Sequence, residues 1–150
     1  MSKIVRTMTW LLYGPILIFG FYIIMHGHLT PGGGFQGGAV VASGFALLVV
    51  AYGARGAGLK ERLLSVVESG GALLFVALAF LGLGVTFFYN FLAAGGGPIF
   101  NELVPLGPNP GDLNTAGTLP LMNWAVGLKV LAGLGSIILL MAISPEEEGE

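Results

Sequence analysis

The sequence predicts an all-α integral membrane protein with four transmembrane helices and both termini cytoplasmic. Three observations carry that expectation. The chain is 55% hydrophobic and only 9% charged, whereas a soluble domain carries roughly a quarter charged residues. Thr7 to His26, Leu29 to Ala54 and Ser69 to Asn101 hold no charge, and Leu119 to Ser144 holds only Lys129. A spanning helix needs about 20 apolar residues, so the uncharged runs accommodate four. In lipid only helices and closed barrels satisfy their own backbone groups. The 150 residues therefore read as a single membrane domain whose core is a helical bundle.

The elements follow in order. Helix one is expected over 7–25, with Pro15 inside it as a candidate kink. Lys3 and Arg6 ahead of it imitate the start of a signal peptide. The apolar run is too long for one and ends in "MHGHLTPGGG" rather than a small-residue cleavage site, so a retained first helix is expected. Helix two is expected over 35–54. It carries two small-residue pairs at a spacing of four, Gly34 with Gly38 and Ala39 with Ser43, that suit a close helix contact. Helix three is expected over 63–91 and helix four over 120–143, with Pro120 suited to a first helical turn. The connection over 93–119 is rich in Gly, Pro and Asn, and a loop of that length usually has a role of its own.

Charge sets the expected orientation. Of six Lys and Arg residues, Lys3 and Arg6 precede helix one, and Arg55, Lys60 and Arg62 lie between helices two and three. Cytoplasmic loops are enriched in Lys and Arg. The termini and the "ARGAGLKER" connection are then inside, and both glycine-rich loops outside.

Gly32, Gly34 and Gly37 imitate a dinucleotide fingerprint. That motif needs a strand before it and an acidic residue about 20 positions later, within a βαβ unit. Here a membrane helix precedes it, and no acidic residue appears before Glu61. A tight turn at the membrane surface is the better reading: Pro31 stops helix one, and the glycines allow conformations closed to other residues. His26 and His28 are two apart with no carboxylate beside them. They read as an interfacial turn, with a proton-relay role open because imidazole titrates near neutrality. No metal site is expected.

Lys129 is the sharper feature. It lies about nine residues, or about 13 Å, into helix four, near the middle of a roughly 30 Å core. An ammonium there costs at least about 2.5–3.5 kcal/mol on insertion scales and normally faces a partner or a water-filled path. An ion-path role and a structural anchor are both open. Glu68 lies about a turn inside helix three, close to Lys60 and Arg62. Its plainer reading is an interfacial salt bridge; the other is the mouth of a proton path. It meets Lys129 only if the two helices pack that way. Asn123 can hydrogen-bond across helices.

The absence of cysteine excludes disulfides and thiolate-held metal centres within this chain. No nucleophile–base pair, phosphate loop or basic nucleic-acid patch is present, so covalent catalysis and nucleic-acid binding are not expected. One deep charge and no internal repeat are too little for a complete transporter. With 26 glycines, the chain reads as a subunit packed against other helices.

At this point the chain resembles a known family. "HGHLTPGGGFQGGAVVASG" is similar to the signature of the B subunit (MnhB/MrpB-like) of Mrp-type multisubunit sodium/proton antiporters. The resemblance extends over the helices, the G-H-x-x-P-G-G-G-F-x-G-G turn and the last helix after "NTAG". The same module occurs in archaeal membrane-bound hydrogenases and ferredoxin-linked sulfane sulfur reductases, where it joins an ion-translocating arm to a redox arm. The resemblance implies that Pro31, Gly32, Gly33, Gly34, Phe35, Gly37 and Gly38, with His26 and His28, form the shared turn. It implies that larger subunits hold the main proton channels. "LPLMNWAVGLKV" is more similar to the hydrogenase-type branch, since antiporter relatives have an acidic residue near Asn123 and an apolar one at Lys129.

The expected function is that of an accessory subunit of such a module, in a ferredoxin-linked respiratory complex of the plasma membrane. The ion-path candidates are Lys129, Glu68, Asn123, His26 and His28. Expected partners are other Mrp-type membrane subunits, hydrogenase or sulfane reductase subunits, Na+, H+ and the lipid bilayer. No cofactor is expected in this chain; iron–sulfur and nickel–iron centres would belong to partner subunits. A free-standing antiporter and a purely structural assembly role are the alternatives.

Overall fold

The computed structural model describes residues 1–94, 99–100, 102–103 and 113–147. Its helices are α1 (Lys3–Met25), α2 (Gly34–Gly56), α3 (Glu61–Phe80), α4 (Phe91–Ala94) and α5 (Leu119–Glu147), and the described residues contain no β-strand. Among the described residues four stretches are long and apolar enough to cross a membrane: Lys3–Met25, Gly34–Gly56, Glu61–Phe80 and Leu119–Ile143. The chain is a multi-pass membrane protein.

Ser2 caps α1 by accepting from the Val5 N–H, and the helix continues through Pro15. It ends at His26, whose carbonyl accepts from the Leu29 and Thr30 N–H groups and from the Thr30 hydroxyl. Beyond Pro31, Gly32 and Gly33 take φ of 149° and 134°, a region that side-chain-bearing residues avoid. The chain reverses there and enters α2 at Gly34.

The spans of the expected helical bundle pack as a row in the order α1, α2, α5, α3. α2 lies against α1 and α5, α3 lies against α5, and α1 meets α5 only lightly. Glycines explain the order. On α2, Gly37 faces Gly20 and Ile24 of α1, while Gly34 and Gly38 face Asn123, Gly127 and Val130 of α5. One helix thus offers two smooth faces and takes a neighbour on each. Helices in lipid have no water to expel and associate through such close packing. α1 and α2 run antiparallel, α2 and α5 parallel, and α5 and α3 antiparallel. Lys3, Arg6, Arg55, Lys60 and Arg62 consequently share one end of the row. At that end Arg6 lies over the Tyr52 ring, 5.4 Å from its centroid. Ile24 is wholly buried, and Val41, Leu64, Leu131, Ala132 and Leu139 form one buried apolar cluster.

Two expectations about packing need correction. The seam on α2 is Gly34, Gly38 and Ala42, not Ala39 and Ser43. Ser43 is exposed and donates its hydroxyl to the Val40 carbonyl of its own helix. Helix three ends at Phe80 rather than near residue 91. The chain doubles back instead, with the Phe88 N–H donating to the Ala79 carbonyl at 3.3 Å. A Cβ on Gly82 would lie 2.6 Å from the Tyr89 nitrogen, so only glycine fits under this fold-back. Phe75 with Phe88, and Phe80 with Phe87, form ring contacts that hold it. α5 also runs beyond its expected limits, from Leu119 to Glu147.

Part of the long connection is tied down. The Asn90 side chain donates to the Ala116 carbonyl and accepts from the Thr118 N–H at 2.9 Å. Thr115 and Thr118 are buried, and Glu102 pairs with Thr115 in an isolated β-bridge. "NTAG" is thus the anchor that brings the chain back to the start of α5. Residues 95–98, 101 and 104–112 of the expected loop lie outside the described residues.

Candidate functional site

The site builds up from a glycine on α3. Gly71 lets the α5 backbone approach closely: a Cβ there would lie 2.7 Å from the Ala125 oxygen and 2.8 Å from the Lys129 nitrogen. Glu68, three residues earlier, lies on the same face of α3. Lys129 Nζ donates to Glu68 Oε1 at 3.2 Å. The carboxylate also rests beside Gly133, one turn further along α5, whose Cβ position lies 3.4 Å from Glu68 Cδ. Glycine at 133 leaves the room that the carboxylate occupies.

This corrects the placement of Glu68. α3 begins at Glu61, so Glu68 is seven residues, or about 10 Å, into the helix. Two turns into the helix, it pairs among the described residues with Lys129 rather than with Lys60 or Arg62. Lys129 is ten residues, or about 15 Å, into α5, so the pair lies well inside both helices.

The pair is not sealed inside the row. The Lys129 and Glu68 side chains are 49% and 38% exposed. They line an open groove of about 340 Å³ together with Phe35, Val130, Gly133, Leu134 and Ile137. Phe35, the one aromatic residue of the turn motif, reaches this groove from the start of α2.

The other candidates form a separate cluster at the glycine end. A Cβ on Gly27 would lie 2.7 Å from Asn123 Nδ2, and one on Gly33 3.4 Å from Asn123 Oδ1. Asn123 therefore fills the inside of the turn. His26 Nδ1 lies 3.1 Å from the Tyr22 carbonyl, and its ring stacks on Tyr22 at 4.0 Å. His28 is half-buried, with both ring nitrogens shielded from solvent. Asn123 precedes Lys129 by six residues, which separates them by about 9 Å along the axis and places them on different faces of α5. The structure joins Glu68 to Lys129, and Asn123 to the turn, but does not join these two clusters. Among the described residues no three His, Asp or Glu side chains gather as a metal site would require.

Sequence reasoning missed Gly20, Gly71 and Gly127. Gly127 was within reach, because it follows Asn123 by four residues and would have marked the face of α5 that meets α2. Gly71 was within reach as the small residue nearest Glu68.

Residues 4–136 match the family model described as a domain related to the MnhB subunit of Na+/H+ antiporter. An uncharacterised protein of Methanocaldococcus jannaschii is 37% identical over 89% of this chain and 54% of its own length. A Staphylococcus aureus protein named as antiporter subunit mnhB2 is 45% identical over 33% of this chain and 35% of its own length. The chain thus spans about half or less of these relatives. Among solved structures, a chain of the membrane-bound sulfane sulfur reductase, an archaeal respiratory membrane complex, matches with a TM-score of 0.75. It is 31% identical, with 94% of this chain and 58% of that chain covered.

Proposed function

This chain belongs to the family of domains related to the MnhB subunit of Na+/H+ antiporters, and from that premise we propose that it is an accessory subunit of an ion-translocating membrane module. The module is of the Mrp type and works within a redox-driven, ferredoxin-linked respiratory complex of the plasma membrane, with the basic end of the row in the cytoplasm. Other Mrp-type membrane subunits and a peripheral redox arm are its partners. The likeness to a chain of an archaeal respiratory complex over 94% of this sequence supports the redox-driven setting. Co-purification of iron–sulfur subunits distinguishes it from a free-standing antiporter.

The observation that carries the reading is the Glu68–Lys129 pair, held at mid-helix and open to a groove. The pair is not enclosed within this chain, so a group or ion from outside it can reach the carboxylate. A Na+ ion entering the groove competes with the Lys129 ammonium for the Glu68 carboxylate. Sodium occupancy and the Lys129–Glu68 contact then exclude each other, so Na+ binding is coupled to where the ammonium rests. The chain contributes this pair to a path whose main proton channels lie in larger subunits.

Lys129→Met tests the reading in membrane vesicles that contain the whole complex. A hydrogen bond to a charged group is worth about 1.5–3 kcal/mol, so Na+-dependent proton flux should fall by about tenfold or more. The subunits should still co-purify. Unchanged flux from an intact complex would remove the ion-path role. The glycine seam of α2 supports the second reading, a packing subunit without ion contact, and that outcome would leave it standing.

A further inference from the structure

We propose that, in the assembled complex, the open side of the Glu68–Lys129 pair is covered by a membrane helix of a different subunit, which directs a side-chain oxygen acceptor at Lys129 Nζ. The argument starts from donors. An ammonium has three, and Glu68 Oε1 takes one at 3.2 Å. Lys129 nevertheless remains 49% exposed, and Glu68 38%. Facing hydrocarbon, the remaining donors would go unanswered at a cost of several kcal/mol per group.

Lipid headgroups cannot answer them. Lys129 lies ten residues after Leu119 and fourteen before Ile143, the limits of its span. That is about 15 Å and about 21 Å from the two ends, and the lysine stem is already committed towards Glu68. The cover must therefore carry its acceptor at mid-membrane depth. A neighbouring helix uses its own carbonyls in its backbone ladder, so the acceptor is a side chain, of Asp, Glu, Asn or Gln. The groove suits such a helix. Phe35, Val130, Leu134 and Ile137 give apolar walls around the polar floor, and Gly133 leaves the floor open. The chain belongs to a subunit family, and its solved neighbour is part of a multisubunit complex, so a different subunit is available as the occupant. This inference does not rest on the ion-path reading: it concerns what covers the pair, whether or not ions pass it.

A photo-crosslinking amino acid at Ile137, in the purified whole complex, identifies the cover. The expected product is an adduct to a membrane helix of another subunit, with Asp, Glu, Asn or Gln within one turn of the crosslinked residue. A crosslink to a second copy of this chain, to lipid alone, or to a helix without such a residue would overturn the proposal. The double exchange Glu68→Lys with Lys129→Glu supplies a second readout. It preserves an internal pair but moves the ammonium to the other side of the groove. The crosslink should fall by about tenfold, equivalent to about 1.4 kcal/mol, while Lys129→Arg retains it. Full crosslinking by the exchanged pair would mean that nothing outside this chain reads Lys129. Flux and crosslinking are separate measurements, so either proposal can fail alone.

Discussion

The two contacts that α5 makes with its neighbours solve the same problem in opposite ways. Against α2 and α1 the chain achieves close approach by removing side chains. Gly34 and Gly38 lie on Gly127, Gly37 lies on Gly20, and Ile24 fills the space between with none of its surface exposed. Against α3 the approach also begins with a glycine, Gly71, but the contact then carries a carboxylate and an ammonium that stay half-exposed. The first region is complete within this chain. The second stays open on one side within this chain. Helices in lipid gain from dense packing and from satisfied polar groups; the finished contact is architecture, and the open one is where we propose that the subunit works.

The strongest way to break that comparison is Gly38→Leu. A Cβ at Gly38 would already lie 2.8 Å from the Gly127 oxygen and 2.9 Å from Val130 Cβ. One of these atoms is backbone and cannot rotate away. Overpacking a dense contact costs typically about 1–3 kcal/mol, and a whole isobutyl group against backbone belongs at the upper end. The variant should lose most of its accumulation as an assembled complex on a native gel. Wild-type accumulation would show that the α2–α5 contact is not the closed architectural element described above.

A smaller effect separates the pair from its surroundings. Lys129→Met leaves the Glu68 carboxylate without its ammonium, and Glu68→Gln leaves the ammonium without its carboxylate. The double variant removes both charges. Thermal unfolding of the solubilised complex should show the double variant less damaged than the sum of the singles, by about 0.5–3 kcal/mol for groups in contact. Additive losses would mean that the 3.2 Å contact carries no energy, and the open region would lose its claim to be a unit.

The same contrast explains what could be read in advance. Each span shows itself as a long apolar run with few charges, because lipid imposes its demand on every residue of a helix. The turn shows itself because Pro31, Gly32 and Gly33 answer a backbone requirement that is local. Lys129 shows itself by depth alone. What stayed hidden depends on which faces meet. Hydropathy does not say that α5 sits between α2 and α3, and without that order Glu68 has no reason to be matched with Lys129. Nor does it mark the end of α3, since "LGLGVTFFY" is as apolar as the helix before it. The break at Phe80 comes from Gly82 and from the aromatic contacts of Phe87 and Phe88, which form only once the chain folds back.

The finest test uses two adjacent glycines. Gly70 and Gly71 are neighbours on α3 and point to different faces. A Cβ on Gly70 meets nothing within 4 Å, whereas one on Gly71 would press on the Ala125 oxygen and the Lys129 nitrogen. Alanine inside a helix is favoured over glycine by about 0.5–1 kcal/mol when there is room for it. Gly70→Ala should therefore leave the unfolding temperature unchanged or slightly raised, with flux intact. Gly71→Ala should lower it, and should also push α5 away from α3 and lengthen the reach from Lys129 to Glu68. Because the added group is the same methyl, the difference between the variants isolates the helix face from helix propensity. Equal damage from both would mean that the outer face of α3 is as tightly covered as the inner one, and the contrast between a finished and an open contact would then have to be redrawn around α3.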